Sequence, residues 1–361
     1  MKDFEVKFDL TYDKQKFRTL NWKIFLVSMA VSALLSVFTS SIPRISLLSP
    51  AIDNMRIDVF SVVLPKLKEI PNEFILRKKS SLVSSAYATG ELDKAKAYGI
   101  INFETGEIIR EKNLDKILPI ASLTKVMTAV VAMDLADKDE TFTVSRNAAN
   151  KIPTKIGVVP GQKLSLEELL NALLLTSAND AAEVIKEGID SKYGAEIFIR
   201  AMNAKAEFLG LRHSTFQNPQ GFDAPNHYSS AGDMTVLSHY ALENYPVISQ
   251  IVVKDFQRLS QTRQHKKYDL YNWNGLIGVY PNVFGVKIGY TGKAGKTTVV
   301  VSQRDGVKIM AVVLGAPTVL ARDLWAGQAL DIGFEETAGL PAINISEQQL
   351  KAKYLTWNNW P

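Results

Sequence analysis

The chain has 361 residues, a formal net charge of +5, four histidines and no cysteine. Its hydrophobic fraction of 46% and charged fraction of 22% are typical of a globular protein with one large domain or two modest ones. The lack of cysteine excludes disulfides and thiolate metal sites. The histidines show no metal-ligand spacing and no basic block suits a nucleic-acid groove, so we expect neither a zinc site nor a nucleic-acid partner.

Residues 24–43 form a stretch of 20 residues without a charge, which is the length that spans the hydrocarbon core of a bilayer. Six Lys or Arg residues precede it within residues 1–23, whereas only Arg44 and Arg56 follow before Lys66. This bias predicts a cytoplasmic tail at 1–23 and an extracytoplasmic location for the remainder. A cleaved signal peptide is the alternative, but the basic segment is long and no Ala-x-Ala-like site follows. The sequence favours an uncleaved anchor in the lipid bilayer.

The next segment, residues 44–91, is predicted to be a stalk or linker, because its helical apolar pattern breaks at Pro65 and a Ser/Ala-rich stretch follows. A folded domain is predicted over 92–336 and a C-terminal tail over 337–361. The predicted elements, in chain order, are strands at 97–103 and 107–111, helices at 122–135, 165–175, 180–187, 195–209 and 231–242, strands at 283–288, 297–303 and 308–314, and a helix at 319–332.

Strands therefore lie at both ends of the predicted domain, with helices between them. Two sequence signals fix boundaries: Thr105-Gly106 predicts a hairpin turn, and the capping box that begins at Ser165 predicts a helix start. Short links between the strands predict antiparallel pairing. The expected fold class is α+β, with an antiparallel sheet of about five strands, helices on both faces and a helical lobe inserted after the second strand.

Ser122 and Lys125 lie three residues apart at the start of a predicted helix, so they share one helix face. A serine becomes a good nucleophile only when a neighbouring base takes its proton, and a lysine is such a base only when it is neutral. This pair therefore predicts an acyl-transfer site that needs no histidine. The same pair also fits an N-cap serine followed by a solvated lysine.

Two further groups could complete such a site. Ser177 and Asn179 lie on a turn between two predicted helices, although Ser145 and Asn147 have the same spacing. Lys287 ends an apolar strand between glycines, which would let a substrate backbone lie against the strand edge. Its alternative role is that of an edge-strand lysine that discourages aggregation.

The order of these groups resembles the penicillin-binding D-alanyl-D-alanine carboxypeptidases, the low-molecular-mass penicillin-binding proteins. The three matching motifs are Ser122-Leu-Thr-Lys125, Ser177-Ala-Asn179 and Lys287-Ile-Gly289. Similarity extends to residues 218–225, 227–234 and 273–276, and covers roughly residues 93–336. The resemblance implies the DD-peptidase/β-lactamase-like fold.

The resemblance also implies a mechanism. Ser122 attacks the carbonyl between the two terminal D-alanines of a peptidoglycan stem peptide, and Lys125 is the general base. Ser177 relays a proton to the leaving amine with help from Lys287, and Asn179 holds the substrate amide. Water then hydrolyses the acyl-enzyme. β-Lactams, which mimic the D-Ala-D-Ala amide, are expected to be covalent inhibitors at Ser122.

Further roles follow from the same resemblance. The backbone N–H groups of Ser122 and Tyr290 form the oxyanion hole. Lys287, Gly289 and Arg322 bind the substrate, with Arg322 on its terminal carboxylate. No metal or other cofactor takes part. The implied location is the bacterial plasma membrane, with a single span, a cytoplasmic N-terminus and the catalytic domain outside.

Two departures from the family pattern stand out. Ile288 replaces the threonine whose hydroxyl bonds the substrate carboxylate, a loss of about 1.5–3 kcal/mol. A weakly active peptidoglycan-binding protein, or an endopeptidase for crosslinks, is therefore the alternative function. The 25 residues after Glu336 are too few for the β-rich domain and anchor found in many members, so the N-terminal helix is expected to anchor the chain. A serine β-lactamase is disfavoured, because no Glu-x-x-Leu-Asn segment lies between Ser177 and Lys287.

Overall fold

The structure, a computed structural model, describes residues 59–78 and 90–357. The predicted cytoplasmic tail and the predicted anchor at 24–43 lie outside these residues, as do residues 44–58 and 79–89 of the predicted stalk. Among the helices in the described ranges, none is both long enough and apolar enough to cross a membrane.

The described elements are numbered here in chain order. They are α1 (Val59–Leu67), β1 (Arg77–Lys78), β2 (Ala97–Asn102), β3 (Glu107–Lys112), α2 (Thr124–Leu135), β4 (Thr141–Thr143), α3 (Arg146–Ala149), β5 (Lys163–Ser165), α4 (Leu166–Leu174), α5 (Asn179–Tyr193), α6 (Ile197–Phe208), α7 (Ala231–Asn244), α8 (Pro246–Val252), β6 (Phe256–Leu259), β7 (Tyr268–Tyr271), β8 (Val283–Thr291), β9 (Gly295–Arg304), β10 (Val307–Ala316), α9 (Val319–Ala338) and α10 (Glu347–Tyr354). Every predicted strand and helix is present, and α5 and α9 run beyond their predicted ends at residues 187 and 332.

The main sheet has the strand order β1-β3-β2-β10-β9-β8. All its pairings are antiparallel except that of the two-residue strand β1 with β3. The two ends of the domain thus meet where β2 pairs with β10, and the helices α2–α8 are inserted between β3 and β8. The predicted α+β fold is confirmed, with β1 as an added edge strand.

The central strand β10 separates two hydrophobic cores, because successive side chains of a strand point to opposite faces. Met310 and Val312 lie in the core shared with the inserted helices. Ile309, Ala311 and Val313 lie in the core covered by α9. Since both faces are covered, the functional groups of the sheet are accessible along the edge strand β8.

Part of the predicted stalk packs onto the domain. In α1, Val63 and Leu67 are fully buried. The buried Lys205 amine donates to the Leu67 carbonyl at 2.7 Å and lies 3.0 Å from the Asp134 carboxylate. The packed domain therefore includes α1, upstream of the predicted boundary at residue 92, because α1 covers apolar surface and its Leu67 carbonyl accepts from a buried amine.

The predicted tail also packs onto the domain. A capping box at Ser346 begins α10, and Leu350 is fully buried against the α9 core. Trp357 lies in a small apolar cluster with Trp273 and Ile288. The tail thus reaches the wall of the cleft that borders β8.

Candidate active site

Ser122 lies in the 3-10 turn Ala121–Leu123, which leads directly into α2. Lys125 lies in the first turn of α2, and its Nζ atom is 2.8 Å from the Ser122 hydroxyl oxygen. The Lys125 side chain is fully buried, whereas Ser122 is partly exposed. The pair thus meets as the three-residue spacing predicts.

Two other oxygens surround the Lys125 amine. It donates to Asn179 Oδ1 at 2.8 Å and to the Gln220 carbonyl at 2.7 Å. Burial lowers the pKa of Lys125 to about 7, although the charge of Asp180 acts to raise it. A neutral amine has two N–H donors and one lone pair. Because the two carbonyl oxygens only accept, they take both N–H groups and leave the lone pair for the Ser122 hydroxyl proton.

Ser177, in the turn after α4, and Asn179, the first residue of α5, line the same cleft. Asn179 Nδ2 donates to the Ile152 carbonyl at 3.0 Å, which orients Oδ1 towards Lys125. Ser177 is buried and has a left-handed backbone, with φ of 60°. Such a conformation is strained for a residue with a side chain and is concentrated at functional sites.

Asp180 holds in place the wall of the cleft that contains residues 152–154. Its carboxylate accepts hydrogen bonds from the N–H groups of Ile156, Gly157 and Val158 at 2.8–3.2 Å. The segment from Ile152 to Val158 is therefore tied to the start of α5, and the cleft keeps its shape on this side.

The loop 217–223 supplies a group that sequence reasoning missed, the Gln220 carbonyl that accepts from Lys125. His227 holds this loop: its Nδ1 accepts from the Gln217 N–H at 3.0 Å, so its Nε2 donates to the Thr124 hydroxyl at 2.8 Å. Burial lowers the pKa of His227 to about 4, so the ring is neutral and structural. A backbone carbonyl gives no side-chain signal in a sequence, although the loop belongs to the segment that resembles the family.

Gly221 allows the loop to approach the nucleophile. Its φ is 92°, and a Cβ there would lie 2.0 Å from the Ala121 carbonyl oxygen. Gly289 of β8 is similarly close, because a Cβ there would lie 2.8 Å from the Ser122 nitrogen. The backbone at Gly289 and Tyr290 therefore passes beside the Ser122 N–H, where the oxyanion hole is predicted.

Lys287 is buried and is not one of the residues that line the cleft. Burial, then the charges of Lys125 and Arg322, hold its pKa well below the usual lysine range. Its amine donates to the Ile288 carbonyl at 3.0 Å, and no hydrogen bond joins it to Ser177 within residues 90–357. The predicted relay partners Ser177 and Lys287 therefore share no hydrogen bond in the described part of the chain.

At the end of the cleft where the substrate carboxylate is predicted to bind, the cationic side chain is already paired with an acidic residue. Arg322 is 1% exposed and donates to both carboxylate oxygens of Asp323, at 2.7 and 2.9 Å. It also donates to the Trp273 carbonyl at 3.3 Å. Ile288 packs against Trp273 and Trp357, so this wall is apolar where the resemblance implies a threonine hydroxyl.

The cleft has a volume of about 430 Å³. The predicted residues that line it are Ser122, Ser177, Asn179, Gly289, Tyr290 and Arg322. Its charged lining residues are the cations Arg322 and Lys296, with no carboxylate among the described lining residues. The cleft therefore favours an anionic ligand. In the described ranges, no three His, Asp or Glu side chains form a group that could hold a metal ion.

The chain resembles one known family, and several known proteins, over this same domain. The family model for D-alanyl-D-alanine carboxypeptidase matches residues 84–318. D-alanyl-D-alanine carboxypeptidase DacF of Bacillus subtilis is 32% identical over 271 residues, which cover 73% of this chain and 69% of that protein. DacC of Escherichia coli is 30% identical over 251 residues, or 66% of this chain, and the match spans 61% of the Escherichia coli protein.

Solved structures show the same similarity. The D-alanyl-D-alanine carboxypeptidase DacD of Francisella tularensis matches with a TM-score of 0.63 at 25% identity, over 71% of this chain and 73% of that one. Penicillin-binding protein D2 of Listeria monocytogenes, in its ampicillin-bound form, matches with a TM-score of 0.58 at 29% identity, over 69% of this chain and 98% of that one.

The lowered pKa of Lys125 generates a pH dependence. The neutral amine is the competent base, and its population rises as pH increases through about 7. The rate of Ser122 acylation by ampicillin, followed by intact mass, is expected to rise about tenfold per pH unit below 7 and level off above it. Ser122→Ala, which lacks the nucleophile, is the control for mass added elsewhere on the protein. A rate that still rises between pH 8 and 10 would contradict a neutral Lys125.

Gly221→Ala tests the close approach of the loop to Ala121. We expect acylation to fall by at least about a hundredfold, because the added Cβ pushes the Gln220 carbonyl away from Lys125. Gly210→Ala is the matched control, since Gly210 also has a left-handed φ, 72°, but has nothing within 4 Å of its Cβ position. It is expected to keep its rate and lose about 1–2 kcal/mol of stability, because an alanine is strained at this φ. Equal acylation rates in both variants would rule out this role.

Proposed function

The chain belongs to the family of serine D-alanyl-D-alanine carboxypeptidases, and we propose that it removes the terminal D-alanine of peptidoglycan stem peptides through an acyl-enzyme on Ser122. One observation carries this proposal: the buried Lys125 amine lies 2.8 Å from the Ser122 hydroxyl, and burial lowers its pKa to about 7. The serine therefore has a neutral base in hydrogen-bond contact.

In acylation, Lys125 takes the Ser122 hydroxyl proton as the serine oxygen bonds to the carbonyl carbon of the penultimate D-alanine. The carbonyl π electrons move to its oxygen, and the Ser122 and Tyr290 N–H groups stabilise the resulting anion. Loss of one such donor typically slows catalysis about 10²–10³-fold. The position of Gly289 against the Ser122 nitrogen supports this assignment.

The tetrahedral intermediate then loses D-alanine. The carbonyl re-forms, the C–N bond breaks, and the leaving nitrogen takes a proton from Ser177. Lys125 returns the proton that it took from Ser122 to Ser177 and is neutral again. Asn179 holds the substrate amide while its Oδ1 fixes Lys125. In deacylation, Lys125 takes a proton from water, whose oxygen attacks the ester carbon, and the serine oxygen leaves and regains a proton. The products are the shortened peptide and D-alanine.

Arg322 is assigned to the terminal carboxylate of the substrate. Its guanidinium lines the cleft and is held rigidly by Asp323 and the Trp273 carbonyl. Since Asp323 offsets part of its charge, Arg322 orients the carboxylate more than it attracts it.

The same proposal includes a membrane anchor at residues 24–43 and a location outside the bacterial plasma membrane. Its support is the uncharged 20-residue stretch with basic residues on one side. Stem peptides of the cell wall lie on the outer side, so this orientation would bring the domain to its substrate.

The direct test is D-alanine release from diacyl-Lys-D-Ala-D-Ala. The protein should begin at residue 58, because a fragment that starts near residue 80 would lack α1 and expose Lys205. We expect release by the parent and loss of release in Ser122→Ala, with an ampicillin adduct only in the parent. A parent that forms the adduct without releasing D-alanine would favour a crosslink substrate. A parent that does neither would favour the peptidoglycan-binding alternative.

A further inference from the structure

We propose that Lys296 binds the terminal carboxylate of the substrate and supplies the polar contact that Ile288 cannot make. This inference rests on the proposed function and adds a specificity residue to it. Lys296 stands outside the three motifs that identify the family, in the strand that follows the third motif.

The register of β8 and β9 places Lys296 on the correct face. Ile288 pairs with Thr298, and Tyr290 pairs with Lys296. Side chains of opposite residues lie on the same face of a sheet, as do those two residues apart along one strand. Ile288, Tyr290 and Lys296 therefore project from one face, and all three line the cleft that holds Ser122.

The Lys296 amine is held in position by an aromatic ring. Its Nζ atom lies 3.1 Å from the centroid of the Tyr290 ring, in a cation–π contact. Tyr290 is 60% exposed and lines the cleft. The amine is thus kept beside the cleft instead of extending into solvent.

Lys296 has no internal counter-ion. Within residues 59–78 and 90–357, no carboxylate forms an ion pair with its amine, whereas Arg322 is paired with Asp323. Partial burial, then the charge of Arg322, lowers the pKa of Lys296, so these two cations repel each other across the cleft. An anionic group between them would relieve this repulsion and accept a charge-assisted hydrogen bond. The terminal carboxylate of a peptide substrate that reacts with Ser122 is such an anionic group.

The test compares two peptides that differ only in charge, diacyl-Lys-D-Ala-D-Ala with a free carboxylate and with a C-terminal amide. Their affinities are measured by calorimetry on Ser122→Ala, so the readout does not depend on turnover. Lys296→Met is expected to weaken binding of the acid at least tenfold and of the amide less than twofold. Lys293→Met is the matched control, because Lys293 is an exposed lysine of the same hairpin and does not line the cleft. It should change neither affinity.

A rescue experiment separates Lys296 from a general effect of charge. Ile288→Thr restores the family hydroxyl, so it should recover most of the lost affinity in Lys296→Met but improve the parent less than threefold. Equal loss for acid and amide, or an unchanged acid affinity in Lys296→Met, would overturn the assignment of Lys296. Failure of the proposed function has a different signature: the protein with Ser122 intact would release no D-alanine and form no ampicillin adduct.

Discussion

The burial of one lysine amine beside a serine is the constraint on which the remaining site depends. Desolvation disfavours the charged form of Lys125, so the group can act as a base near neutral pH. Whether the Lys125 amine is neutral or charged, its buried N–H groups need hydrogen-bond acceptors. The start of α5 and the loop 217–223 each supply one acceptor oxygen. The inserted helical lobe therefore does more than cover the sheet, because it supplies two of the three contacts of the base.

The second requirement of the site is that backbone segments approach each other closely around Ser122. Ala121, before the nucleophile, and Ser177 both have positive φ, which costs about 1–3 kcal/mol per residue. Gly221 and Gly289 remove the side chains that would block the contacts to Ala121 and Ser122. The two hydrophobic cores on either side of β10 provide the packing that holds these strained segments against the free edge of the sheet.

The sequence was sufficient to predict the sheet, most of the helices, and the pair Ser122 and Lys125, because local periodicity determines these features. Contacts between residues far apart in the chain were not predictable in this way. The docking of α1 over Lys205, the Gln220 carbonyl on Lys125 and the Trp273 carbonyl on Arg322 have no local pattern. The sequence showed that Ile288 replaces the threonine of the family motif. Only the register of β8 and β9 showed that Lys296 lies on the same face of the sheet as Ile288.

The pKa of Lys125 can be measured directly by NMR titration of protein labelled with ¹³C at lysine Cε. The Lys125 resonance is identified by its loss in Lys125→Met. A buried base requires a titration midpoint near pH 7, far from the ordinary lysine value of 10.5. A midpoint near 10.5 would mean that Lys125 stays charged at neutral pH, and the serine would then need a different base.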